Sequence, residues 1–310
     1  MLQLIEEQLK HKNYYNGQFC ENPEPVPGQA EPKVIFYKEY HHKEIKYSVV
    51  IPIFNQEEII ERNLLSVISH MEGNFEIIII LDACIDNTET IVLNLLKNIN
   101  VSYLVKAVVI KQETPVFETT CDNMGFLIST GKYIVEIQAD MEMTEYGFNT
   151  KLAKGLEKYS DIIAISGRCT HILGDCAGVG KLGTLIDQPL PQDLDKNLIY
   201  MYGTCNRGPL VLDREKLKSM KFLDEQNYFL DGSEHDLFTR AYFLNGWRCG
   251  YIPIEFNAPT QNGSTRKNTI PANIREQNEI IKNFKNKRGI GGFEKTIQNK
   301  TAIPIEIRPL

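Results

Sequence analysis

This chain of 310 residues is defined first by what it omits: it has one tryptophan, no basic excess and no long apolar run. Its longest aliphatic stretch, Ile77–Leu81, is far shorter than a membrane span requires, so no transmembrane segment is expected. The opening MLQLIEEQLKHK carries acids where a secretory leader keeps an apolar stretch, so no signal peptide is expected either. The net charge of -6 offers no broad positive surface to neutralise phosphates, which argues against a nucleic-acid partner while leaving a single nucleotide open. The seven cysteines (20, 84, 121, 169, 176, 205 and 249) are odd in number and nowhere form CxxC. A zinc ribbon or a thioredoxin-type site is thereby disfavoured, and reduced thiols in a cytoplasmic setting are expected. The histidines show no ligand spacing, and there is no internal repeat.

The organised part begins at Tyr47. YSVVIPIF and FEIIIILD are apolar, β-branched runs without alternation, as strands covered on both faces require. Ile59, Ile60, Leu64, Leu65 and Ile68 recur at helical spacing between them. Ile91–Leu96 reads as helix, Tyr103–Ile110 as strand, Asp122–Thr130 as helix and Tyr133–Ile137 as strand, with Asp86 a candidate helix cap. Strands alternating with helices imply an α/β, doubly wound, Rossmann-like and mostly parallel sheet. Lys151–Tyr159 is expected as helix and Asp161–Gly167 as strand, whereas Thr170–Tyr202 reads as irregular. Arg207–Leu212 looks like a strand returning to the sheet, and Leu237, Ala241 and Leu244 mark a helix ended by Asn245-Gly246. The expected division is an extension over 1–46, a main domain over 47–256, and a polar tail with a helix over 257–310.

In such sheets ligands gather outside the carboxyl ends of the strands. Phe54-Asn55, Asp82 and Asp140 all fall there. Asp140 and Glu142, one residue apart at a strand end, can face the same way and offer oxygens to a hard cation such as Mg²⁺ or Mn²⁺, or can stand as solvated loop acids. Asp82 suits either the cap of the next turn or acceptance of a nucleobase N–H. Glu234 precedes a helix after Gly232-Ser233 and suits a base facing a cavity, whereas Asp236 also fits plain complementation of the helix dipole. Trp247 reads equally as core or as a sugar platform. Gly178–Gly183 matches GxGxxG but follows no strand directly and sits deep in the chain, so it is read as a flexible glycine loop rather than a dinucleotide site.

With these pieces placed, the chain resembles the family-2 inverting glycosyltransferases of the GT-A fold. The resemblance is carried by VVIPIFNQEE, LDACIDNT, CDNMGFLISTGKYIVEIQADMEM and SEHDLFTRAYFLNGWR, in that order, over roughly 47–256. It implies that Pro52, Phe54, Asn55, Gln56, Asn123, Gln138 and Ala139 border the nucleotide and that Asp82 reads the base. It implies that Asp140 and Glu142 hold Mn²⁺ or Mg²⁺, with Gln138 standing where the family has the first acid of DxD. Glu234 falls on the catalytic base, supported by Asp236, and Arg207 and Trp247 are placed toward sugar or acceptor. The late histidine that often completes the metal shell has no counterpart in IEFNAPTQNGS, and the QxxRW of processive synthases is missing. A metal-dependent transfer of one sugar from a UDP- or GDP-linked donor to a glycan or other hydroxyl acceptor is therefore expected, UDP being favoured. The competing readings are a non-catalytic nucleotide-sugar-binding relative and a sugar-phosphate nucleotidyltransferase. The latter needs a glycine-rich basic loop after the first strand, which IPIFNQEE does not offer.

Overall fold

The computed structural model describes residues 2–10, 30–167, 194–230, 232–258, 263, 275–277, 279–280, 282–283 and 303–310. The Gly178–Gly183 loop and Arg266 and Lys267 of the tail lie outside these residues. In chain order the elements are α1 (Leu2–Leu9), β1 (Lys33–Glu39), β2 (Tyr47–Ile53), α2 (Ile60–His70), β3 (Phe75–Asp82), α3 (Thr88–Asn98) and β4 (Leu104–Gln112). They continue with α4 (Phe117–Ile128), β5 (Tyr133–Glu136), β6 (Glu142–Met143), α5 (Phe148–Lys158), β7 (Ile162–Ser166), β8 (Leu198–Tyr202) and β9 (Leu210–Asp213). The last are α6 (Arg214–Ser219), α7 (Ser233–Asn245), β10 (Arg248–Tyr251), β11 (Phe256–Asn257) and β12 (Glu306–Pro309).

Among the described residues, ten strands form one sheet in the order β1-β4-β3-β2-β5-β9-β7-β10-β8-β12. β2, β3, β4 and β5 run parallel, as do β7 and β10, while β1, β9 and β8 run against their neighbours. The absence of alternation in β2 and β3 has the expected cause. Val49, Ile51, Ile77 and Ile79 face one layer, with Leu64 and Val67 of α2, Leu96 of α3 and Leu152 of α5. Val50, Ile78 and Ile80 face the other, with Ile5 and Leu9 of α1, Met124 and Ile128 of α4, and Leu237 and Ala241 of α7. Both faces being dry, the strand positions are apolar apart from Ser48, Glu76 and Asp82.

The local readings needed correction where long-range pairing decides the outcome. α4 starts at Phe117, five residues before the apolar period becomes visible, and β8 lies inside a segment read as irregular. β1 and β12 pair at the two edges of the sheet, drawing the extension and the tail into it. Asp86 is not the N-cap of α3; that is Asn87. Asp86 instead accepts the backbone N–H groups of Thr88 and Glu57, both at 3.1 Å.

Candidate functional site

The carboxyl ends of β2, β3 and β5 open into one shared region. β2 runs out into Phe54-Asn55 and β3, ending at Asp82, into Ala83, with Asn55 (φ 47°) and Ala83 (φ 52°) both left-handed, so the chain turns sharply out of the sheet at each. The two loops are tied together. Asn55 Oδ1 accepts the Ile85 N–H at 2.9 Å, and Thr88 Oγ1 accepts the Gln56 N–H at 2.8 Å. Phe54, half-buried beside Pro52 at the strand end, packs with Phe117, Phe229 and Leu230 into a small apolar wall.

Asp82 is buried beside this wall, and its two oxygens accept the backbone N–H groups of Val116 and Phe117 at 2.8 and 2.9 Å. It thereby fastens the start of α4. Burial pushes its carboxyl up to about 6, and the two N–H donors oppose that rise.

β5 runs out into Gln138-Ala139-Asp140. Asn63 of α2 grips this turn, its amide donating to the carbonyls of Gln138 at 3.0 Å and Met141 at 2.7 Å. Ala139 and Asp140 are buried, and Glu142 is half-exposed with Arg62 Nε at 3.6 Å. The Gln138 side chain donates to Glu118 Oε1 at 3.0 Å.

α7 brings the second half of the site. Gly232, at φ 87°, allows the chain to turn into the helix, and Glu234 follows in its first turn with little exposure. Glu234 Oε2 lies 3.3 Å from Arg207 Nε, and Arg207 NH1 lies 3.4 Å from Glu118 Oε2. A continuous chain of contacts, Gln138–Glu118–Arg207–Glu234, therefore joins the turn after β5 to the start of α7.

The remaining expected residues are placed as follows. Asp236 is fully buried and accepts from Arg240 Nε at 2.6 Å, while Arg240 also donates to the carbonyls of Met220 and Phe222. Asn123 binds the backbone of Leu223 through both its amide groups and donates to Glu225, so it secures the segment leading into α7. Trp247 is not brought here. It directly precedes β10, whose first residue pairs with Ile162 at the amino end of β7, opposite the strand ends that carry Asp82 and Asp140.

Sequence reasoning missed a carboxylate cluster. Glu118, Asp122 and Glu136 bring oxygens within 4.8 Å of one another, a geometry able to hold a cation. The cluster already contains one: the Arg207 guanidinium donates to Asp122 Oδ2 at 2.9 Å. Burial pushes the Asp122 carboxyl well above the usual carboxylate range, with Arg207 opposing. The available signals were an acid inside the apolar strand YIVE and the i,i+4 spacing of Glu118 and Asp122, which puts both on one helix face.

Residues 48–178 match the family model described as glycosyl transferase family 2, a span that stops before Arg207 and Glu234. The comparison with curated proteins gave no match. Among solved structures, a mannosyltransferase from Pyrobaculum calidifontis, in complex with GDP-Man and Mn²⁺, is similar at 16% identity and a TM-score of 0.54, over 84% of this chain and 67% of that one. S. aureus TarS 1-349 gives 16% and 0.51 over 83% of this chain and 76% of that one. Its complex with UDP-GlcNAc gives 17% and 0.51 over 77% of this chain and 66% of that one. The chain thus spans just under two thirds of the length of this last structure. Among the described residues no helix is long and apolar enough to cross a membrane. The matched span and the solved structures agree on the fold: residues 48–178 are similar to glycosyl transferase family 2, and the sheet that carries them is that of the GT-A fold.

Proposed function

We propose that this chain moves one sugar from a nucleotide-diphosphate sugar to an acceptor hydroxyl with inversion at the anomeric carbon. The observation that carries the reading is the contact chain from Gln138 to Glu234, which sets a carboxylate near the turn bearing Asp140. Pro52, Phe54, Asn55, Gln56, Asp82 and Ala139 border the nucleotide in this reading, with Phe54 against the base. UDP is preferred over GDP on family usage.

Asp140 and Glu142 are hard oxygen donors at a strand end, which fits Mn²⁺ or Mg²⁺. When bound, the ion supplies charge neutralisation at the diphosphate. The chain's own residues supply the rest. Glu234 takes the proton of the acceptor hydroxyl. That oxygen forms a bond to the anomeric carbon while the bond to the diphosphate oxygen breaks on the opposite face. A single displacement of this kind inverts the centre, through a transition state of oxocarbenium character. Asp236, paired with Arg240, steadies the helix from which Glu234 projects. The thiols of Cys84, Cys121 and Cys249 fit a cytoplasmic setting.

The test is incubation with a panel of UDP- and GDP-sugars, with and without Mn²⁺, followed by release of nucleoside diphosphate and by thermal shift. Metal-dependent stabilisation and turnover that is lost in Glu234→Gln supports the reading. Metal-independent binding without turnover would instead identify a non-catalytic nucleotide-sugar-binding relative, the reading that Gln138 in place of an acid keeps open.

A further inference from the structure

We infer that Arg207 is a positioning residue that aims the Glu234 carboxylate at the acceptor, rather than a residue that contacts sugar. The inference rests on the proposed role of Glu234 as base. Arg207 is 4% exposed, and its guanidinium faces protein groups on every edge. NH1 donates to Asp122 Oδ2 at 2.9 Å and lies 3.4 Å from Glu118 Oε2. NH2 donates to Thr119 Oγ1 at 3.1 Å and to Ser233 Oγ. Three of these four partners belong to α4, and the fourth is the residue immediately before Glu234. The backbone is fixed as well, because the Gly208 N–H donates to Glu136 Oε2 at 2.6 Å. With the planar fork held on both sides, Nε is left beside Glu234 Oε2.

That last contact differs in kind from the others. The 3.3 Å separation is an ion pair, yet neither Arg207 Nε nor Glu234 Oε2 makes a hydrogen bond. Oε2, itself buried, is held by charge, which leaves Oε1 as the oxygen to take a proton, as a base needs. The same guanidinium reaches Glu118, which receives the Gln138 amide, so one cation sets the base and the donor-side turn in mutual register. A lysine cannot reproduce this, because an ammonium offers a point charge in place of a rigid fork.

The experiment compares wild type, Arg207→Lys, Glu234→Gln and the double variant, each checked for cooperative thermal unfolding. The expected result is a loss of kcat on the order of 100-fold in Arg207→Lys, the effect of misplacing a reacting group by about 1 Å. Donor KM stays unchanged, and the double variant is no slower than Glu234→Gln alone. A near-normal kcat in Arg207→Lys, a fall expressed in donor KM, or a further loss in the double variant would overturn the inference. If Arg207→Lys does not fold, Ser233→Ala serves, since it removes the hydroxyl that clamps Arg207 and Thr119 beside Glu234. It should lower kcat without moving donor KM, and an unchanged kcat counts against the inference. Full activity in Glu234→Gln would instead sink the base assignment itself, so the two failures are told apart.

Discussion

Asp122 and Arg207 meet at 2.9 Å with no solvent access to the aspartate, and this contact keeps a carboxylate-rich pocket from being a buried excess of negative charge. Removing the aspartate leaves Arg207 near Glu118 and Glu234 but strips its charge-assisted hydrogen bond, which typically costs about 1.5–3 kcal/mol. Asp122→Ala is therefore expected to lose stability on that scale. Asp122→Asn, which keeps both the volume and the acceptor for NH1, should lose about 1 kcal/mol. Urea unfolding of the two variants measures the difference, and equal losses would show that the contact contributes little.

Asp82 predicts a pH dependence of stability. Its carboxyl rises from an ordinary 3.8 to about 6 in the folded chain because burial penalises the charge. Between those values the folded state holds a proton that the unfolded state has released, so stability falls as pH rises through this window. Its contribution is full below about 4 and gone above about 6, a change of roughly 3 kcal/mol. Asp82→Asn cannot titrate. Wild type should therefore lose stability relative to that variant between pH 4 and pH 7 in denaturant titrations, and parallel profiles would refute the shift.

The metal assignment makes a graded prediction. Asp140→Asn should weaken Mn²⁺-dependent binding of UDP at least tenfold, the lower end of what disturbing a metal's surroundings costs. Glu142→Gln should weaken it less, because Glu142 is half-exposed and shares its charge with Arg62. Calorimetric titration of UDP with and without Mn²⁺ reads this directly. Unchanged metal dependence in Asp140→Asn would place the ion elsewhere, with the Glu118 cluster the first alternative to try.

Gly131, which opens the GKY stretch, sits where a Cβ would come within 2.8 Å of the Tyr47 carbonyl carbon and 2.9 Å of the Ser48 nitrogen. These are backbone atoms of the central strand β2 and cannot step aside cheaply. Gly131→Ala should cost about 1–3 kcal/mol, the usual range for overpacking, and a melting curve superimposed on wild type would contradict it.

Much of the frame was legible before any coordinates. Runs such as FEIIIILD announce strands dry on both faces, and the strand–helix alternation after Tyr47 dictates a mostly parallel sheet, whose carboxyl ends are where a candidate site is sought. The end of α7 at Asn245-Gly246 was equally readable, since Gly246 takes the left-handed cap at φ 70°. These features depend on neighbours along the chain, and so on period and turn chemistry.

What pairs across the chain was not legible. β1 and β12 are strands because the sheet edges offer them unpaired backbone groups, and nothing in their own pattern required it. Asp82 presented two readings, and folding supplied the donors at Val116 and Phe117 that fasten α4 to it. Arg207 stood as a possible sugar contact until packing surrounded it with Glu118, Asp122 and Glu234. The local sequence set the register of strands and helices. Only the closed fold determined which charges share a dry pocket, because their attraction acts through space between segments that no local spacing relates.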